Sequence, residues 1–297
     1  MFLPAEKIRR WIPLHNSYFP ETEQIRGHLS PEGLLWYDFP IFDPFREDFI
    51  AGFSSCRGGG GKGLDLNPKL EDRALLRENC SRFCRALGIP LERIVFSRQT
   101  HTTNLLEVDQ QHAGQGLDRP REFQDIDGLL TRTEELPLFT FYADCCPLLF
   151  YAADQRIAAA AHAGWRGTVA DMAGCMLRRL QSLGAKPRAI YAAIGPSAGP
   201  CCYQIDEGTA AHFRSIDAST LRPDPAAPGK FLADLWQANF LLLRRAGLPE
   251  QNIAISRLCT ICNPDSFYSY RVQGNARGTL AAAVMLRRPC STPQPKR

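Results

Sequence analysis

The chain has 297 residues, 44% of them hydrophobic, with 35 Lys and Arg against 31 Asp and Glu for a net charge of +4. This excludes a disordered, collagen-like or disulfide-scaffold protein, and a chain of this length buries a core without metal or disulfide staples. The positive charges form no block longer than a few residues, so there is no nucleic-acid footprint. Met1 to Pro13 carries Glu6, Lys7, Arg9 and Arg10 where an export signal needs an apolar stretch. The longest apolar run, Leu136 to Ala153, is broken by Asp144 and falls short of a membrane span. Eleven cysteines, an odd number that includes the adjacent pairs Cys145, Cys146 and Cys201, Cys202, suit a reducing cytoplasm better than a disulfide framework.

Apolar residues at Leu70, Ala74, Leu75, Phe83 and Leu87, followed by Gly88, predict a helix over Leu70 to Leu87. Arg93 to Ser97 is a short strand candidate that leaves Gln99 and His101 just past its end. The centre reads as strands Leu136 to Ala143, Pro147 to Ala152 and Ile157 to His162, with a turn at Asp154 and Gln155, and its apolar continuity predicts burial on both faces. Thr168 is expected to cap a helix whose apolar positions run from Val169 through Met172, Met176, Leu177, Leu180 and Leu183 to a stop at Gly184. Further strands are expected at Arg188 to Ile194, Asn252 to Leu258 and Thr279 to Leu286, with a helix over about Ala233 to Ala246 ended by Gly247. No linker divides this pattern, which predicts one domain of the α/β (α+β) class over residues 1–286 and a loose basic tail over 287–297.

Among six histidines, His15, His28, His112 and His212 have no second type of metal ligand close by. His101 follows a predicted strand, His162 ends another and opens the turn Ala163-Gly164-Trp165-Arg166-Gly167, and Cys145 sits at the break between two apolar strands. Two imidazoles and a thiolate suit Zn²⁺, and three protein ligands leave the fourth tetrahedral position open for water. The competing reading of Cys145 and His162 is simple burial at strand ends.

Asp127-Gly128-Leu129-Leu130-Thr131, Ala143-Asp144-Cys145, the stretch Ala161 to Thr168, and Ala193-Ile194-Gly195-Pro196 resemble, in order and spacing, the laccase-domain family of purine nucleoside phosphorylases. Arg57-Gly58-Gly59, Leu66-Asn67, Gln99-Thr100-His101, Cys201-Cys202-Tyr203, Asp234-Leu235, Cys259-Thr260 and Phe267 to Arg271 are similar to the family's flanking signatures, so the resemblance runs from about Ala51 to Leu286. It implies a metal site on His101, Cys145 and His162 holding Zn²⁺ or Cu²⁺. It also implies a single layered domain with mixed β-sheets flanked by helices, of the four-layer sandwich type. The implied activity is cleavage of adenosine, inosine and methylthioadenosine by phosphate to free base and ribose 1-phosphate, with adenosine deamination beside it. The sequence departs from the family pattern at Thr102, where Gly is usual after the histidine, at Gln204, where Glu is usual, and at Ser197, which replaces a frequent Cys.

Phosphorolysis needs an anion pocket, contacts to the ribose and a way to neutralise the departing purine. Arg57 beside Gly58 to Gly61, together with Arg166, offers guanidinium groups for the anion. Asp144, next to Cys145, is the candidate general acid or base, or a group that orients the ligand. Asn67, Gln99 and Arg271 complete the expected substrate contacts. Ordinary surface arginines, a turn-forming Asn67 and a strand-end cap at Asp144 are the competing readings. The glycine run is not a P-loop, because Cys56 and Gly63 occupy positions that motif reserves for Gly and for Ser or Thr. A water activated by the ion suits attack at C6 of adenosine, which gives deamination.

Three rival readings use the same residues. A multinuclear copper oxidase needs many imidazoles, and the chain has six histidines with no His-x-His. A cysteine hydrolase would use Cys145 as nucleophile with His162 or His101 as base. A non-enzymatic scaffold would make the metal site structural, against which three ligands with an open place argue. Cys259 and Cys262 form a lone C-x-x-C with no second such pair, so they are expected to carry neither zinc nor redox chemistry. The implied partners are a purine nucleoside and phosphate, without nucleic acid or membrane, for a cytoplasmic monomer or small homo-oligomer.

Overall fold

A computed structural model describes residues 22–58 and 63–289. In chain order, β1 (Arg26–Leu29), β2 (Leu35–Asp38) and β3 (Phe49–Ser54) form a meander, followed by α1 (Arg73–Leu87), β4 (Val95–Phe96), β5 (Leu105–Glu107), β6 (Gly128–Thr131) and β7 (Leu138–Tyr142). The hairpin of β8 (Cys146–Ala152) and β9 (Ile157–Ala163) leads into α2 (Trp165–Val169), α3 (Met172–Ser182) and β10 (Ile190–Ile194). A small unit of β11 (Gln204–Asp206), α4 (Glu207–Ile216), β12 (Leu221–Pro223) and β13 (Lys230–Ala233) precedes α5 (Leu235–Arg245), β14 (Ile253–Ile255), α6 (Tyr270–Gln273) and β15 (Leu280–Leu286).

The strands join into two six-stranded sheets, β1-β2-β3-β15-β7-β4 and β14-β10-β8-β9-β6-β5, and a three-stranded sheet β11-β13-β12. Both large sheets are mixed: β4 pairs with β7, β5 with β6 and β10 with β14 in parallel, whereas the other pairs are antiparallel. Between the two sheets, Tyr37, Phe53, Leu138 and Tyr142 meet Leu149, Tyr151, Ala158 and Ala160. The other face of the first sheet is covered by α1, through Leu76, Phe83 and Leu87 against Phe139, Ala283 and Met285. Met176, Leu180, Leu242 and Leu243 of α3 and α5 cover the second sheet over Phe150, Ala159 and Ile190. The result is the expected four-layer arrangement, helix, sheet, sheet, helix. Every residue of β8, β9 and β15 is buried, as the apolar continuity of the central region predicts for strands covered on both faces.

Several local expectations change. The helix expected to start at Thr168 is two helices: Thr168 lies inside α2, and α3 begins after Asp171. Asp171 adopts φ 66° and its side chain accepts from Gly174 N at 3.1 Å, an N-cap in the left-handed conformation that a short polar side chain tolerates. Helix α1 starts at Arg73 rather than Leu70, because Asp72 caps it by accepting from Leu75 N at 2.9 Å. Its end at Gly88, in the left-handed region, is as expected. Arg287, assigned to the tail, is pinned by its N–H to Asp48 O at 2.8 Å. The remainder of that tail beyond residue 289, the N-terminal stretch read against an export signal, and Gly59 to Lys62 of the glycine run lie outside the described residues. Among the described residues no helix is long and apolar enough to cross a membrane.

Candidate metal centre

Strand register brings the first two ligand candidates together. His162 is the penultimate residue of β9, Cys145 directly precedes β8, and the antiparallel pairing places Pro147 opposite His162 and Cys146 opposite Ala163. His101 arrives from the loop between β4 and β5 with φ 67°. That loop is folded around the buried carboxylate of Asp127, which accepts from the backbone N–H of Thr100 (3.0 Å), His101 (3.0 Å) and Thr102 (2.9 Å) and from Thr102 Oγ1 (2.9 Å). Oδ1 of the same carboxylate lies 2.8 Å from His162 Nδ1. One buried acid therefore fixes the backbone of His101 and the ring of His162, leaving Nε2 of His162 to face the Cys145 sulfur.

The Cys145 Sγ lies 3.8 Å from His101 Nε2, and one ligand atom from each of His101, Cys145 and His162 falls within 4.8 Å of the others. The two imidazole rings meet edge-on, with centroids 4.9 Å apart. Gly164 provides the room: a Cβ there would sit 2.8 Å from His101 Cδ2 and 2.9 Å from Cys145 Sγ. Its own φ of −66° is ordinary, so the glycine is needed for space and not for backbone freedom.

Burial alone pushes the Cys145 thiol up, but the charge of His162 and hydrogen bonds from His101 and His162 outweigh it and bring the thiol down to about 6. Burial lowers His162, yet the Cys145 thiolate and the Asp127 carboxylate raise it to about 9. Asp127, raised by burial, is drawn down to about 2 by His162 and by the backbone donors of its loop. Cys145 is thus drawn toward the thiolate and His162 toward the imidazolium, and a cation bound between them would displace the proton they share.

A cavity of about 980 Å³ opens over the three ligand candidates. Its wall carries Lys69, Arg98, Arg121, Arg166, Arg271 and Arg277, with Asp144 the one carboxylate among the described lining residues. Trp165, Tyr203 and Tyr270 add aromatic faces, and the guanidinium groups of Arg166 and Arg271 stack over Trp165 and Tyr203 at 4.3 and 4.7 Å. Asn67 lines the cavity while its Oδ1 accepts from Lys69 N at 3.0 Å, which is also the turn expected of it.

Three expected site residues have polar groups engaged by the protein itself. Gln99 lines the cavity, but its amide is spent on the backbone of Phe141: Nε2 donates to O and Oε1 accepts from N, both at 2.7 Å. It continues the β4 to β7 pairing past the end of β4 and anchors the loop that carries His101. Asp144 is buried with both oxygens engaged, Oδ1 by Thr260 Oγ1 (2.6 Å) and Oδ2 by Ser269 Oγ (2.9 Å) and Arg271 N (2.7 Å). Burial raises its carboxyl above the usual range against those donors. Its geometry is that of a brace for the segment bearing Arg271. Arg57 is not among the described lining residues, and its Nε donates to Asp265 O at 2.9 Å.

Sequence reasoning passed over Asp127 as a site residue, although it opens one of the motifs that carry the family resemblance. It also passed over Lys69, Arg98, Arg121 and Arg277, which share no motif and meet only through the fold.

The family model described as multi-copper polyphenol oxidoreductase laccase matches residues 52–287. A relative named purine nucleoside phosphorylase YlmD, from Geobacillus stearothermophilus, is 35% identical over 79% of this chain and 89% of its own length. Another, named adenosine deaminase RL5, from an unknown prokaryotic organism, is 33% identical over 76% of this chain and 89% of its own. The crystal structure of the Bacillus licheniformis protein YfiH superposes with a TM-score of 0.79 at 26% identity, covering 88% of this chain and 99% of that one. The match takes in the whole second sheet, β4, β7 and β15 of the first and all three ligand candidates, and the chain belongs to the multi-copper polyphenol oxidoreductase laccase family.

Proposed function

We propose that the protein is a metal-dependent purine nucleoside phosphorylase that cleaves adenosine, inosine and methylthioadenosine with phosphate, working in a reducing cytoplasm. The observation that carries this reading is the convergence of two imidazoles and a thiolate beneath a cavity walled by six cationic side chains and aromatic faces. The donor set fits Zn²⁺, and His101, Cys145 and His162 would hold it, with Asp127 setting the tautomer of His162. When bound, the ion supplies a Lewis acid within the cavity.

In phosphorolysis a phosphate oxygen bonds to C1′ of the ribose as the C1′–N9 bond breaks. The bonding pair leaves with the purine, which then takes a proton. Arg166 and Arg271, with Arg98 and Arg121 in the same cavity wall, supply cationic donors for the phosphate, and the arrangement concentrates an anion where the ribose carbon becomes electron-poor. Trp165, Tyr203 and Tyr270 offer faces for a flat base. Asp144 acts as a positioning residue, holding Arg271 through its backbone N–H and through Ser269.

The relative named as an adenosine deaminase favours a second activity at the same centre, conversion of adenosine to inosine. A copper oxidase reading is disfavoured, since two histidines converge and no further imidazole joins them among the described residues. The order Cys145, His162, Asp127 is also that of a thiol hydrolase relay. Protection of Cys145 from iodoacetamide by bound zinc separates that reading from the metal site.

The direct test resolves adenine, inosine, hypoxanthine and ribose 1-phosphate by chromatography after incubation with adenosine, with and without phosphate. Adenine and ribose 1-phosphate in equal amounts, only when phosphate is present, is the expected result. Adenosine untouched by zinc-loaded protein would overturn the proposal, and inosine independent of phosphate would identify the deaminase.

A further inference from the structure

Beyond the centre just described, one more group of metal-competent side chains stands among the described residues: Cys201, Cys202, Cys259 and Cys262, whose sulfurs all lie within 4.8 Å of one another. The parallel pairing of β10 with β14 gathers them, because it sends two chain segments off the same end of the sheet side by side. The pairing continues past the strands: Ser197 bridges Cys259, Ser197 N donates to Leu258 O at 3.2 Å and Thr260 N to Ser197 O at 3.0 Å. The lone C-x-x-C of the sequence thereby meets the adjacent pair Cys201, Cys202, the second pair that linear spacing does not reveal.

The Cys262 sulfur lies 3.3 Å from that of Cys201 and 3.4 Å from that of Cys202, and none of the four is in a disulfide. Four thiolates about 2.3 Å from a tetrahedral ion would stand about 3.8 Å apart, within the spread seen here. Gly199 N donates to the Cys259 sulfur at 3.2 Å, a contact that supports a thiolate. Gly199 is open for this approach because a Cβ would strike Trp236 at 2.6 Å and Cys259 Cβ at 3.0 Å.

We propose that Cys201, Cys202, Cys259 and Cys262 form a second metal site, structural in role, that takes one tetrahedral zinc ion as four thiolates. Each thiol still protonated gives its proton to solvent as its sulfur bonds the ion, and the filled site carries a net charge of −2. Four soft ligands and no open position distinguish it from the first centre. It would clamp the wall of the cavity from behind: Tyr203, next to Cys202, lines the cavity, and Thr260, next to Cys259, holds Asp144. The proposal does not depend on the nucleoside reading.

The test measures zinc content of full-length protein purified under reducing conditions. About two ions per chain are expected in the wild type, about one in His162→Ala, about one in Cys262→Ser and none in the double variant. Cobalt loaded into His162→Ala should give strong thiolate-to-cobalt charge-transfer absorption that Cys201→Ser, a change at an exposed residue, removes without unfolding the chain. A His162→Ala protein that folds yet retains no zinc and shows no such absorption would overturn the proposal. So would a disulfide joining Cys262 to Cys201 or Cys202 in the freshly purified reduced protein.

Discussion

At the residue scale, the centre rests on a carboxylate buried behind the cavity wall. Asp127 fixes His101 through its backbone and His162 through Nδ1, so Asp127→Asn should weaken zinc binding by about 10- to 100-fold, read by competition with a chromophoric chelator. His162→Ala should lose the ion at this centre and nearly all turnover while keeping the wild-type far-ultraviolet circular dichroism, and unchanged turnover at low occupancy would contradict the ligand assignment. Gly164→Ala is a purely steric probe: its Cβ would push against both His101 and Cys145, so zinc affinity should fall while the melting temperature stays near wild type. The convergence of His101, Cys145 and His162 was legible in sequence because each stands at the end of an apolar strand or just beyond one. The role of Asp127 was not, since the carboxylate lies 35 positions from His162 and only the closed loop joins them. The bonds of Gln99 to Phe141 were equally hidden, since an amide near the site reads as a sugar contact until its partners are seen.

Among the elements, short polar contacts decide boundaries that periodicity does not mark. The apolar rhythm from Val169 to Leu183 reads as one helix, and the left-handed Asp171 cap divides it. The β1 to β3 meander escaped notice because its first two strands are short, and its opening hairpin adds a charged pair to the burial of Leu35 and Tyr37. Arg26 and Asp38, opposite each other in that hairpin, share two contacts of 2.9 and 2.8 Å, and Arg26 also reaches Asp43 at 2.7 Å. Burial pushes the Asp38 carboxyl up, but hydrogen bonds from His28 and Arg26 hold it below its ordinary value. An acid depressed in the folded state adds stability above its ordinary value and loses it as pH falls through the lower folded value. Asp38→Asn should therefore cost less than about 1 kcal/mol at neutral pH, the pair being partly exposed, and the difference from wild type should vanish as urea melts are moved to acid. A difference independent of pH would show that the carboxylate charge contributes nothing.

Across the whole molecule, the two central sheets do the positioning. β8 and β9 are covered by the first sheet on one face and by α3 and α5 on the other, so the ends that carry Cys145 and His162 have little freedom to move, and the cationic wall is assembled from loops and the short helices α2 and α6. Phe150→Ala, in the layer between the second sheet and its helices, should cost about 3–5 kcal/mol in a urea melt. The mixed α and β class was legible because long apolar strands alternate with amphipathic helices, whereas the layering was what the family resemblance implied. The cavity was not legible, because its basic residues are scattered from Lys69 to Arg277 with no common spacing. The measurement that bears most directly on the account titrates zinc into chelator-stripped protein supplied with adenosine and phosphate, following ribose 1-phosphate together with alkylation of Cys145. Turnover should appear in proportion to the fraction of Cys145 shielded by the ion. Full turnover in metal-free protein with Cys145 open to alkylation would contradict the account.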